Sequence, residues 1–167
     1  DVFAPVSRAP ERLAGDLAAL AGVAAVQTRV TGRALVDIAG AALPAQARAV
    51  SLPDRGLPAL NDIHLTDGRL PEHGRPDEIL LLNAFADAHG LGPGDALAAT
   101  MNGARRSFRI VGLAQSPEFL YTTPPGELYP DDARFGVIWM NRSALAAAYD
   151  MEGAFNEALL ALSRTAR

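Results

Sequence analysis

The 167-residue sequence contains no cysteine, which removes disulfide bonds, thiolate nucleophiles and thiolate metal sites together. Lysine is also absent, so all 15 basic residues are arginine. With alanine abundant throughout, that bias reads as the imprint of a GC-rich coding sequence rather than a demand for guanidinium groups. Without lysine there is no Gly-x-x-x-x-Gly-Lys-Ser/Thr phosphate loop, and nucleotide binding of that kind is excluded. Arginines nowhere cluster beyond the pair Arg105-Arg106, and the formal net charge is −4. The electrostatic footprint of a nucleic-acid binder is therefore missing. No apolar run reaches the roughly 20 residues that a membrane helix needs. Aromatics are scarce at 6%, so Ala, Leu and Val must fill the core. What remains is a chain that is 49% apolar and 20% charged, too hydrophobic for disorder. Its length suits one compact domain or two small subdomains, burying roughly 70% of the unfolded surface.

Residues that could carry chemistry are few and scattered. His64, His73 and His89 lack the i, i+3 or i, i+4 pairing of a helical metal site, and read as ordinary surface or half-buried histidines. Carboxylates gather at Asp77-Glu78 and at Glu127, Asp131 and Asp132. A glycosidase would need two such groups about 5 to 10 Å apart around a sugar cleft; with no aromatic sugar platform around them, solvated loop acids are the favoured reading. Ser116 lies in Gln-Ser-Pro, outside a Gly-x-Ser-x-Gly elbow. Gly90-Leu91-Gly92-Pro93-Gly94 lacks the Gly-x-Gly-x-x-Gly order, and its Pro93 removes an N–H that a phosphate cradle would use. No catalytic residue, cofactor or metal is expected.

Pattern and punctuation divide the chain into elements. Leu13, Leu17 and Leu20 recur at helical spacing between Pro10 and Gly22, predicting a helix from about 10 to 21. Residues 23–30 and 34–39 read as strands joined by a turn at Thr31-Gly32-Arg33, and 45–52 as a third strand. Residues 53–76 are rich in Pro, Gly, Asp and Asn and predict an extended connection. A buried strand over 78–82 is followed by a helix capped at Asn83 and stopped at Gly90. Strands over 96–101 and 107–114 form a hairpin at Asn102-Gly103, the strongest turn signal in the chain. The segment 115–134 is irregular, 135–140 a strand, 141–149 a helix and 155–162 a last strand.

Within this frame an ordered set of short motifs stands out: Gly68-Arg69-Leu70-Pro71, Glu78-Ile79-Leu80, Ala84 and Ala86 in a helix, Gly90-Leu91-Gly92-Pro93-Gly94-Asp95, and Phe108-Arg109-Ile110-Val111-Gly112. Together they resemble the extracytoplasmic, MacB-like periplasmic core domain of FtsX-like ABC-transporter permeases. The opening helix leading into Gly22-Val23-Ala24-Ala25-Val26 is similar to that family's start. The resemblance implies an α+β fold with a mixed-sheet subdomain formed by both chain ends, 1–60 and 135–167, and a smaller β-rich subdomain, 61–134, inserted in the middle. It implies a non-catalytic domain in a bacterial inner or plasma membrane protein, facing the periplasm. Its role would be to couple ATP hydrolysis by a separate cytoplasmic ABC ATPase to export, lipoprotein release or control of a partner. The expected partners are that ATPase, a second permease copy in a dimer, and a periplasmic protein or hydrophobic substrate. Apolar spans are expected in the gene before Asp1 and after Arg167. A free-standing secreted binding protein or hydrolase is the alternative.

One segment falls outside the shared motifs. Residues 117–130 hold Phe119, Leu120, Tyr121 and Tyr129 among several prolines. Aromatics in a proline-stiffened loop lose little entropy on binding, which makes these four residues the candidate partner or substrate contact. Packing of the loop across a subdomain junction is the other reading.

Overall fold

The computed structural model describes residues 2–119 and 131–163. Strand β1 (Val2–Pro10) is followed by a short helix α1 (Leu13–Ala18) and strand β2 (Val23–Arg29). These pack with the final strand, β10 (Ala154–Leu162), as a three-stranded antiparallel sheet in the order β1-β10-β2. Everything between builds a larger sheet of seven strands: β3 (Thr31–Val36), β4 (Ala45–Leu52), β5 (His64–Gly68), β6 (Glu78–Leu82), β7 (Ala96–Met101), β8 (Ala104–Gln115) and β9 (Phe135–Asn141). Its order is β5-β8-β6-β9-β4-β3-β7, and β7 also pairs with β8. The pairing circuit therefore closes through six strands, leaving β5 beside the upper half of β8. Strand β8 achieves this by its length: residues 104–109 pair with β7, while 109–114 pair with β6.

Helices α2 (Asn83–His89) and α3 (Arg142–Ala148) each follow directly from a strand. Phe85 of α2 packs on Gly136, where an added Cβ would meet the ring at 2.9 Å. Tyr149, after α3, lies on Gly32 and donates its hydroxyl to the carbonyl of Arg33. Burial pushes that phenol up to about 12, since the charged form would lose its water. The main core is aliphatic around Trp139 and Phe85. The small sheet has its own minor core of Ala9, Phe155 and Ala158, against which Ala4 and Leu17 pack.

The α+β fold class holds, and the hairpin at Asn102-Gly103 forms with both residues at positive φ, 49° and 77°, as a type I′ turn demands. Helix α2 ends at Gly90 in the left-handed region, φ 64°.

Elsewhere the chain departs from its local signals. The helix expected over 10–21 is confined to Leu13–Ala18, because Ala9 and Pro10 pair with Phe155 and Ala154 at the end of β1. Strand β1 contains prolines at 5 and 10 and is tolerated because it lies at a sheet edge. Thr31-Gly32-Arg33 is extended strand and not a turn: β2 and β3 continue through Val30 into different sheets. Gly32 is there to admit Tyr149 and not to bend the chain. The connection over 53–76 contains β5, and Asn83 opens α2 as its first residue, without a side-chain cap bond.

The two-part division also runs elsewhere than at 60 and 134. Strands β3, β4 and β9, from the expected outer part, share one sheet with β5 to β8. The smaller unit is the one built by the chain ends, over 2–29 and 154–162.

Candidate functional site

The two sheets meet at a polar seam. Arg29 ends β2 and is almost fully buried, at 4% exposed. Its guanidinium Nε donates to Glu157 of β10, while Nη1 and Nη2 donate to both carboxylate oxygens of Glu118, the Nη1 bond measuring 2.8 Å. Glu157 also accepts from Arg48 of β4 at 2.8 Å, and Glu118 from the Asn61 amide at 2.9 Å. Burial alone would lower the Arg29 pKa, but its two carboxylate partners outweigh that and raise it. Burial likewise works to raise the Glu118 carboxyl, and the bonds from Arg29 and Asn61 bring it below the usual range. Arg29 and Glu118 stay ionised because each charge faces its opposite.

Three more polar ties cross the same boundary. Asn156 of β10 clasps the backbone of Thr31, accepting from its N–H and donating to its carbonyl, each at 2.8 Å. Arg142 of α3 donates to Glu11 and, at 2.7 Å, to the carbonyl of Thr28. The side-chain oxygen of Gln27 accepts from the Leu60 N–H at 2.8 Å. Separate apolar clusters lie on either side, and these charged and hydrogen-bonded ties cross between them. Such interfaces resemble transient contacts more than continuous cores.

Of the four candidate contact residues, only Phe119 lies within the described residues; Leu120, Tyr121 and Tyr129 lie outside them. Phe119 closes a single 3-10 turn, Pro117–Phe119. It is half-buried, packs against the main core, and meets Trp139 edge-on with ring centroids 5.9 Å apart. The turn therefore seats two neighbouring side chains in opposite media, Glu118 in the ionic seam and Phe119 on the core. Arg29, Glu118 and Glu157 were not singled out from the sequence. The available signal was Glu157, a lone acid inside the apolar run 154–162, which demands a buried partner.

The ordered motifs converge on a second cluster. Arg69 forks onto Glu78, with nitrogen–oxygen distances of 2.8 and 2.7 Å, and Glu78 also accepts from the Glu72 N–H at 2.9 Å. These bonds hold the Glu78 carboxyl at about 2, the Arg69 bonds contributing most. Beside them the backbones of Gly68 and Gly112 approach so closely that a Cβ on either would strike main chain, Val111 O at 2.2 Å and Arg69 O at 2.6 Å. Gly68, Arg69, Glu78 and Gly112 are thus one structural joint between β5, β6 and β8. Glu78 is too firmly ionised to act as a general acid near neutral pH.

No protein-family model matches the chain, and no curated protein matches it. Solved structures do. The periplasmic region of MacB from Actinobacillus actinomycetemcomitans superposes with a TM-score of 0.53 at 12% identity, over 95% of this chain and 66% of that one. The extracellular domain of the noncanonic ABC-type transporter YknZ from Gram-positive bacteria gives 0.58 at 10% identity, over 95% and 75%. The chain has the fold of these domains and spans just under two thirds of the MacB region's length.

Proposed function

We propose that this chain is the non-catalytic extracytoplasmic domain of an FtsX-like ABC-transporter permease. In this reading it moves with the membrane part of its protein and couples ATP hydrolysis by a separate cytoplasmic ATPase to substrate export, lipoprotein release or control of a periplasmic partner. The observation that carries it is the shared fold over 95% of the chain with two transporter domains. The motif residues Gly68, Arg69, Glu78 and Gly112 support it, since they form one joint rather than a reactive site. The seam fits a coupling role: β1 and β10 belong to the small unit, so force entering through them reaches the large sheet through the strand connection at Val30 and across the Arg29 cluster. The 3-10 turn is tied to that cluster through Glu118, and we assign the segment it opens, with Leu120, Tyr121 and Tyr129, as the contact for a partner or hydrophobic substrate.

Sequencing the flanking codons of the native gene tests the reading. Apolar segments of roughly 20 residues are expected before Asp1 and after Arg167, together with an ABC ATPase in the same protein or operon. A secretory signal directly before the domain and a stop codon directly after it would overturn the assignment in favour of a free-standing secreted protein.

A further inference from the structure

The outer face of the large sheet carries a feature that the transporter reading leaves unused. The pairing register sets Arg33 opposite Arg48 and Leu35 opposite Gln46. It sets Gln46 opposite Phe135 and Leu35 opposite Thr100. Paired residues project to the same side of a sheet, so these side chains share one surface. They line a trough of ≈ 1000 Å³, at the upper end of the range of about 300–1,000 Å³ found for small-molecule sites.

The lining includes two arginines and no carboxylate, in a chain whose net charge is −4. Like charges directly opposite each other on neighbouring strands repel and weaken a sheet. Arg48 is relieved by Glu157 at 2.8 Å. Arg33 is exposed, and its side chain has no ion-pair partner among the described residues. Asp37, just past the end of β3, holds Arg105 at 2.8 Å, and Asp150 accepts from the lining residue Asn102 at 3.3 Å. Next to this uncompensated cation the surface turns apolar, with Leu35 45% exposed and Phe135 half-buried.

We propose that the trough binds a small amphiphilic anion, a carboxylate or sulfonate head on an apolar body. The head lies between Arg33 and Arg48, whose planar forks match a carboxylate's two oxygens. The amide of Gln46 and the hydroxyl of Thr100 stand ready as further donors, and the apolar body covers Leu35 and Phe135. Arg48 already shares its charge with Glu157, so Arg33 contributes most of the head-group binding. The site stands independently of the transporter reading.

Calorimetric titration of the domain with decanoate, kept below its micelle concentration, tests this alongside decyltrimethylammonium and acetate. Saturable one-site binding of decanoate is expected, with both other probes at least tenfold weaker. Arg33→Gln should weaken decanoate binding about tenfold, the size expected for one charge-assisted pair. Leu35→Ser should weaken it without restoring any preference for the cation. Arg55→Gln, at an exposed loop arginine remote from the trough in sequence, should leave it unchanged. Equal affinity for the cationic and anionic amphiphiles, no saturable decanoate binding, or an Arg33→Gln variant that binds as tightly as the parent would each refute the site.

Discussion

Replacing Glu78 with Gln removes one charge from the joint between β5, β6 and β8 while keeping its shape. Glu78 is 1% exposed and takes three hydrogen bonds, two from Arg69 and one from the Glu72 N–H. Its carboxyl is lowered from 4.5 to about 2, with the Arg69 hydrogen bonds as the largest cause. At about 1.4 kcal/mol per pH decade this corresponds to roughly 3 kcal/mol. Arg69 is itself 48% exposed, and water screening of that partner reduces the figure to about 1–2 kcal/mol. The sign follows from linkage: the folded state holds this proton less tightly than the unfolded chain. The stabilisation is therefore complete above the unfolded value, near 4.5, and is lost as pH falls toward about 2. Urea unfolding followed by the fluorescence of Trp139, the only tryptophan and the cross-strand neighbour of Leu80 in β6, reads the effect. Glu78→Gln should be less stable than the parent by about 1–2 kcal/mol at pH 7, and the gap should shrink steadily below pH 4.5. Equal stabilities at pH 7, or a gap undiminished at pH 2.5, would refute the reasoning.

Arg29→Met should cost about 3–5 kcal/mol at neutral pH, because it strands the carboxylates of Glu118 and Glu157 in the seam. Since Glu118 is held below its usual value in the parent, the loss should ease as pH falls through the carboxylate range; thermal melts at pH 7 and pH 4 that show the same gap would count against the cluster. Gly68→Ala forces a side chain onto a φ of 73° and a Cβ to within 2.2 Å of Val111 O, so a destabilisation of about 2–4 kcal/mol is expected, and an unchanged denaturation midpoint would show that the joint is loose. Phe119→Ala removes the edge contact on Trp139 and should shift tryptophan emission while costing about 1–3 kcal/mol, less than a fully buried phenylalanine; unaltered emission would mean that the ring pair does not form in solution.

Local signals made the large sheet readable wherever pairing partners lie close in sequence or a strand is wholly apolar. Strand β6, Glu-Ile-Leu-Leu-Leu, is buried along its whole length, and the hairpin at Asn102-Gly103 announces itself by turn chemistry. Strand β1 was hidden because its two prolines argue against a strand, and only an edge position beside β10, some 150 residues away in the chain, makes them acceptable. Thr31-Gly32-Arg33 misleads for the opposite reason. Its glycine is the residue type a turn prefers, yet what requires it is the ring of Tyr149 pressed on the strand, a tertiary demand that no window of neighbouring residues contains.

The functional features show the same limit more sharply. Gly68, Arg69, Glu78 and Gly112 sit at intervals that a motif can capture, and the structure explains their order: a fork from Arg69 to Glu78 and two glycine backbones too close for any side chain. The seam has no such compact signature. Arg29 and Glu157 are 128 residues apart, and Arg29 and Glu118 are 89 apart; Glu157, a lone acid in an apolar strand, signals that a buried partner exists but not which residue it is, and Arg29 and Glu118 in isolation are ordinary charged residues. Only closure of both sheets brings them together, and the cost of burying those charges requires that they meet. A buried ionic junction therefore lies between two separate apolar cores. Hydrophobic burial is non-directional and tolerates small slips, whereas a displaced ion pair leaves its charges buried and uncompensated, so this junction favours one discrete arrangement of the two units over a graded slide. Under the proposed coupling role, a displacement of β1 and β10 either carries the large sheet with it through Arg29, Glu118 and Glu157 or breaks those pairs at the cost of stranding buried charge.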